Sequence, residues 1–245
     1  MRTKQIAKTS KRPVRWYGNG NSDGIPYLKD LEIKGRLIVI EGPDSSGRST
    51  QIASITSKLE ADGFAVLNTG LKRSELISKG ILEAKRNVSL GKRTLAMFYA
   101  ADFADQLEHK IIPALQAGFI VLADRYIYTL MARNAVRGIS RKWSHDLYSF
   151  ALIPDMVFYI DVDPFKLVHR VFEKRMSLDY YESGADLGIS DDMFESFIIY
   201  QRKMAKEFTS MQKKYGLIPI DGNKEIENTN ATLQRKIDSY LKRYG

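Results

Sequence analysis

No cysteine occurs in the 245 residues, which excludes a disulfide framework and any thiolate-held metal. Histidine is nearly as scarce: His109, His145 and His169 are not arranged as a metal-ligand motif and read as surface or packing residues. No stretch approaches the ~18 consecutive apolar residues of a membrane span, and the amino terminus lacks the apolar segment of a secretory signal. A cytoplasmic chain without membrane contact is expected. Acidic residues are missing from one end only. Arg2, Lys4, Lys8, Lys11, Arg12 and Arg15 all precede the first carboxylate, Asp23, and carry six of the nine surplus positive charges. Residues 1–34 are therefore expected to be a basic, flexible extension, and residues 35–245 a single domain. The arm reads as a solvated tail in preference to a nucleic-acid contact, because charge alone gives weak, salt-sensitive binding. Trp16 and Tyr17, in the turn-rich segment that follows, are candidates to dock on the body.

What is present is ordinary globular material, 44% hydrophobic and 27% charged, arranged as strands alternating with helices. Short apolar runs at 36–40, 64–67, 118–126, 156–162 and 216–221 predict five strands. Helices are expected over 74–85 and from 94 to about 116, the second bent or restarted at Pro113. The pattern predicts an α/β fold in three layers, a central parallel five-stranded sheet flanked by helices.

The first strand runs into Gly42-Pro43-Asp44-Ser45-Ser46-Gly47-Arg48-Ser49-Thr50, a phosphate-binding loop with arginine where the usual pattern has lysine. Gly42 and Gly47 let the backbone turn its amides inward, and the helix that follows adds its positive dipole end. Backbone and side chains of Gly42, Asp44, Ser45, Ser46, Gly47, Arg48, Ser49 and Thr50 are the candidate ATP-phosphate site. Ser49 stands where the pattern places the magnesium hydroxyl. Arg48 keeps the charge of the usual lysine but presents a planar fork of donors. In open α/β sheets ligands bind at the carboxyl ends of strands. Asp124 and Arg125, which end the third strand, therefore join the site, the carboxylate toward magnesium and the guanidinium toward a second phosphate.

The order and spacing of Glu41-Gly42-Pro43-Asp44, Gly47, Ser49-Thr50-Gln51, Phe98, Ala101-Asp102, Ile112-Pro113-Ala114-Leu115, Asp124-Arg125-Tyr126, Pro154-Asp155 and Ile160-Asp161-Val162-Asp163-Pro164 resemble the thymidylate kinases, across residues 36 to 243. The resemblance implies the P-loop nucleoside monophosphate kinase fold and magnesium-dependent transfer of a phosphoryl group from ATP to a nucleoside monophosphate, dTMP first. It implies a homodimer as well. By the same resemblance Asp44 and Arg125 position the acceptor, Arg48 serves the donor phosphates, and Ser49 with Asp124 serves magnesium. Arg170, Lys174, Arg175, Asp179 and Glu182 match a mobile lid, in which Arg175 would stabilise the transferring phosphoryl. The loop Asp221-Gly222-Asn223 matches the segment near the donor adenine.

Departures cluster where the family reads its acceptor base. The arginine after Ala-Asp is Phe103 here, the lid arginine after Asp179 is Tyr180, and an Ala-Tyr-Gln triplet is Ala132-Arg133-Asn134. Phe103 and Asn134 are the residues expected beside the acceptor, Phe103 by stacking on its base. Two alternatives stay open on these grounds: the same chemistry on another monophosphate, and nucleotide binding with little or no turnover, which Arg48 and Tyr180 motivate.

Overall fold

The computed structural model describes residues 12–13, 15–18, 31–86, 90–175, 178 and 180–244. Its centre is a parallel sheet in the order β4-β5-β3-β6-β7, formed by β3 (Arg36–Glu41), β4 (Val66–Gly70), β5 (Ile120–Asp124), β6 (Met156–Asp161) and β7 (Ile218–Asp221). All six residues of β3 are buried, as expected of a parallel strand covered on both faces. Alternation splits them: Leu37 and Val39 enter one core, and Ile38 and Ile40 the other. A short antiparallel pair, β1 (Arg12–Pro13) with β2 (Glu32–Ile33), lies apart from this sheet. Leu31 and Ile33, on the amino-terminal side of the expected boundary at residue 35, are core residues.

Helices fill both faces: α1 (Arg48–Ala61), α2 (Ser78–Arg86), α3 (Lys92–Gln106), α4 (Ile112–Ala117), α5 (Ile127–Val136), α6 (Arg141–Leu147), α7 (Pro164–Arg175), α8 (Met193–Tyr215) and α9 (Ile226–Tyr244). The expected long helix is broken earlier than Pro113. A π-helical turn, Leu107–Ile111, separates α3 from α4, and Pro113 sits in the first turn of α4. Proline has no N–H to donate, and its ring crowds the carbonyl four residues back, so the strain is released in a widened turn before it. The second strand also differs from expectation. It starts two residues late and runs on through Asn68-Thr69-Gly70, because the pairing of Gly70 with Asp124 holds polar residues in the sheet. Ser74 caps a turn by accepting from Leu76 N and Ile77 N, and this delays α2 to Ser78.

Register decides where the chemistry sits. Ile40 pairs with Asp124, and Arg125 N donates to Ile40 O at 3.0 Å. The phosphate loop and the Asp124-Arg125 pair therefore leave the sheet side by side, at the centre, where strand order reverses and a crevice opens.

Candidate active site

The loop after β3 is closely built. Gly42 has φ of 152°, and a Cβ there would meet Ile160 O at 3.0 Å and Ser46 Oγ at 3.1 Å. Gly47, at φ 90°, turns the chain into α1. Three non-glycine residues of the cleft, Ser45 and Lys72 at φ 60° and Arg125 at φ 71°, hold left-handed backbone. This conformation costs energy that the surroundings must supply. For Arg125 the support is visible in the fully buried Glu41, which accepts from Tyr126 N at 2.9 Å and from the Thr129 backbone and hydroxyl. Glu41 thereby fastens the start of α5 to the end of β3. Burial raises its pKa, against the opposing pull of those donors and of Arg125.

Asp44 is the hub of the site. Its carboxylate lies 2.6 Å from Arg125 Nη2, 3.6 Å from Arg133 Nη2 and 3.8 Å from Arg48 Nη2. Burial disfavours its charge, yet Arg125, Arg48 and Arg133 outweigh that and hold the carboxyl well below its ordinary range. Arg48 is folded onto its own loop. Nη1 donates to Gly42 O at 2.5 Å, to Pro43 O and weakly to Ser46 Oγ, and Nε donates to Asp124 Oδ1 at 2.7 Å. Burial and the charge of Arg125 lower its pKa, opposed by Asp124 and Asp44, but a guanidinium remains protonated.

The other oxygen of Asp124, Oδ2, lies 3.5 Å from Ser49 Oγ. Two hard oxygen donors at a phosphate cleft fit magnesium, which takes one or two protein oxygens and completes its shell from water and substrate phosphate. Ser49 and Asp124 are the residues that would hold it.

Three cavities meet here. A polar cleft of about 260 Å³ is lined by the loop from Asp44 to Thr50, by Asp124 and Arg125, and by Leu71, Lys72 and Arg73. A narrower one runs from Pro43 and Asp44 past Arg125, Thr129 and Arg133 to Glu182 and Tyr200. The third lies between α3 and α5, with Leu95, Tyr99, Leu130, Arg133, Asn134 and Tyr148 among its walls. Arg133 lines both of the last two, and its guanidinium stands 6.0 Å from the centre of the Tyr99 ring.

Of the residues singled out in the sequence, Asp44, Ser45, Ser46, Gly47, Arg48, Ser49, Thr50, Asp124 and Arg125 come together in the first cleft. Glu182 joins Asp44 and Arg125 in the second, and Asn134 lines the third. Phe103 does not join them. It is 3% exposed, packed edge-on against Tyr126 at 4.8 Å and beside Tyr148 and Phe150. An apolar ring on the inner face of α3 gains more from that core than from a cleft, so the expected base-stacking face is buried in protein. Arg170 donates to Gly222 O at 3.2 Å, at the seam between α7 and the loop after β7. The side chains of Lys174 and Arg175, and the whole of Asp179, lie outside the described residues.

Four participants were not assigned a place from the sequence: Glu41, Lys72, Arg73 and Arg133. Lys72 and Arg73 follow β4 directly, and Asp102 holds their turn by accepting from Lys72 N at 2.8 Å and Ser74 N at 3.0 Å. Their position at the carboxyl end of a strand was the available signal.

The thymidylate kinase family model matches residues 40–233. The chain belongs to the thymidylate kinase family. Among curated relatives, the probable thymidylate kinase 2 of Saccharolobus solfataricus is 33% identical over 210 residues, covering 85% of this chain and 98% of that protein. The thymidylate kinase of Geobacillus sp. is 37% identical over 209 residues, covering 81% of this chain and 94% of its own length. The family assignment and the parallel sheet agree on a P-loop kinase fold. Among the described residues no helix is long and apolar enough to cross a membrane.

Proposed function

We propose that this protein transfers the γ-phosphoryl group of ATP to dTMP, giving ADP and dTDP, and that it does so in the cytoplasm as a homodimer. One observation carries the reading: Asp44 lies between Arg48 of the phosphate loop and the Arg125–Arg133 pair of the neighbouring strand and helix. Two phosphate-sized cationic sites thus share one carboxylate. Donor phosphates would rest on the amides of the loop and the start of α1, and the acceptor phosphate on Arg125. An acceptor oxygen attacks the γ-phosphorus as the bond to the β-phosphate bridge breaks, and the charge spread over the transferred group is met by cations. Arg175 of the lid is assigned that task, and Lys72 and Arg73 line the phosphate cleft. Magnesium held at Ser49 and Asp124 would supply further neutralisation of the phosphate oxygens. Exposed Leu82 and Met97, on α2 and α3, offer apolar surface for a dimer.

The test is ADP release with ATP and magnesium across dTMP, dUMP, dGMP, dCMP, AMP and a blank without acceptor. The reading requires turnover on dTMP above all others. The folding of Arg48 onto the Gly42 and Pro43 carbonyls favours one competitor, a nucleotide-binding protein with little turnover. ATP binding with no ADP release on any acceptor would decide for it.

A further inference from the structure

Every nitrogen of the Arg48 guanidinium faces a protein acceptor. Nη1 donates to the Gly42 and Pro43 carbonyls, Nε donates to Asp124 Oδ1 at 2.7 Å, and Nη2 lies 3.8 Å from Asp44 Oδ1. Turning it toward a phosphate would leave two loop carbonyls and a carboxylate without their donor, and desolvated groups left unpaired are costly. The usual loop lysine instead ends in a compact ammonium that reaches the phosphates. In this chain the loop's own cation is already engaged.

A lysine stands on another wall of the same cleft. Lys72 lines it from the turn after β4, and among the described residues its ammonium has no hydrogen-bond or ion-pair partner. Gly70 pairs with Asp124, and β5 separates β4 from β3. Two strand spacings therefore set the turn roughly 10 Å from the phosphate loop, across Asp124 and Arg125. A lysine side chain and a phosphoryl group together span that interval. Arg73, next in the turn, is exposed, whereas Lys72 is half-buried along the cleft.

The Lys72 backbone is held where lysine is disfavoured. Its φ of 60° is a conformation that glycine adopts freely and other residues adopt at a cost. Such strain persists where the surroundings over-determine it, and it clusters at functional sites. Here the surroundings are a buried network. Asp102 accepts from Lys72 N at 2.8 Å and from Ser74 N at 3.0 Å, Gln106 Nε2 donates to Asp102 at 2.9 Å, and Thr69 Oγ1 donates to Gln106 Oε1 at 2.7 Å. Lys110, from the π-helical turn, donates to the Arg73 carbonyl at 3.1 Å. The turn is fixed before substrate arrives, and the Lys72 ammonium is left to meet it.

Resting on the kinase reading above, we infer that Lys72 supplies the ammonium that the phosphate loop lacks, reaching across the cleft to the phosphoryl group in transit. An acceptor phosphate oxygen forms its bond to the γ-phosphorus as the bond to the β-bridging oxygen breaks and ADP leaves with that electron pair. Lys72 moves no proton; it neutralises charge on the equatorial oxygens.

ADP release by the full chain at saturating ATP and dTMP tests this, with the parent, Lys72→Gly, Lys72→Arg and Arg73→Met, and with Arg48→Lys added to the first and last of these variants. Lys72→Gly suits the left-handed backbone, so its Tm should equal or exceed the parent's. Its kcat should fall about 10²-fold, while the Kd for ADP, which lacks the transferred group, stays within about twofold. Lys72→Arg should keep part of the rate. Arg48→Lys returns an ammonium to the loop and should raise kcat of Lys72→Gly at least about tenfold, but not that of Arg73→Met. An unchanged kcat in Lys72→Gly, no gain from Arg48→Lys, or an equal gain in Arg73→Met would overturn the inference. So would a loss of ADP binding as large as the loss of kcat. In each of these cases turnover of dTMP by the parent leaves the kinase reading standing. A parent that releases no ADP on any acceptor would overturn both.

Discussion

At one end of the cleft Asp44 gathers Arg125, Arg133 and Arg48 within 3.8 Å; at the other, two turns along α5, Asn134 Nδ2 is one of three buried polar side-chain atoms without a partner among the described residues, in a wall made mostly of aliphatic and aromatic groups. The phosphate end works by charge. Each cation has a carboxylate that holds it in place before substrate arrives, so the donors do not reorganise during the reaction. The other end, the expected base end, is walled by Leu95, Ala96, Tyr99, Leu130 and Tyr148, with Asn134 among its few polar side chains.

The largest effect should come from breaking the phosphate end alone. Arg125→Ala removes the closest partner of Asp44 and leaves a buried carboxylate with weaker compensation. Phosphoryl transfer, measured as kcat/KM for dTMP, should fall by about 10³-fold. Binding of thymidine, which has no phosphate, should change little. An equal loss of thymidine binding would show that the two ends are not separable.

Arg48 comes next, because it belongs to the phosphate end yet is bonded to its own loop. Arg48→Ala should lower kcat by about 10²-fold and leave the Gly42 and Pro43 carbonyls and Asp124 without their donor. Arg48→Lys should cost less than the alanine change, since an ammonium keeps the charge but not the fork. Both are read from kcat at saturating ATP. If both variants matched the parent, Arg48 would have no part in transfer.

The same division explains what could be read from the sequence. The phosphate end is made of residues adjacent in the chain or placed at strand ends, and local backbone rules confine such residues to the crevice; Gly42 to Thr50 and Asp124-Arg125 were legible for that reason. The base end depends on how α3 packs against α5. Nothing local to Phe103 indicates that its ring turns into the core beside Tyr126 and Tyr148. Nothing local to Arg133 indicates that it reaches across to Asp44. The sheet was legible from its apolar runs, but β4 was misplaced by two residues, because the pairing of polar Asn68 and Thr69 with β5 is decided by the neighbouring strand.

Acid should loosen the phosphate end and leave the base end alone. Burial resists the ionisation of Asp44, but Arg125, Arg48 and Arg133 bring its folded pKa below the ordinary 3.8. A depressed folded pKa contributes stability that is present above the unfolded value and lost as pH falls through the folded one. Asp44→Asn forfeits that contribution, so its Tm should lie on the order of 5 °C below the parent's at neutral pH. The gap should hold down to about pH 4 and narrow below it. A gap that widened in acid would mean that Asp44 is not held ionised by its guanidinium neighbours.

The smallest effect is expected from the amino-terminal arm, whose Tyr17 touches the middle of α5. Tyr17 reaches the Tyr128 hydroxyl and packs edge-on against Tyr128 and Tyr215, and its backbone N donates to Ala151 O at 3.1 Å. Trp16 bridges to Leu152. Tyr128 lies midway between Arg125 and the Arg133–Asn134 pair, so contacts there brace the helix that joins the two ends. Removing residues 1–15 retains Trp16 and Tyr17 but takes β1 from β2 and the Arg15 carbonyl from Ile153 N; these contacts lie away from the phosphate cleft, so kcat and KM should both stay within about twofold of the parent. Extending the deletion through Gly18 strips the aromatic contacts from Tyr128 of α5 and Tyr215 of α8 and should lower Tm while leaving the dTMP-to-dCMP preference in place. A change in that preference would show that the arm sets the geometry of the base end through α5, and that the two ends are coupled by the helix they share.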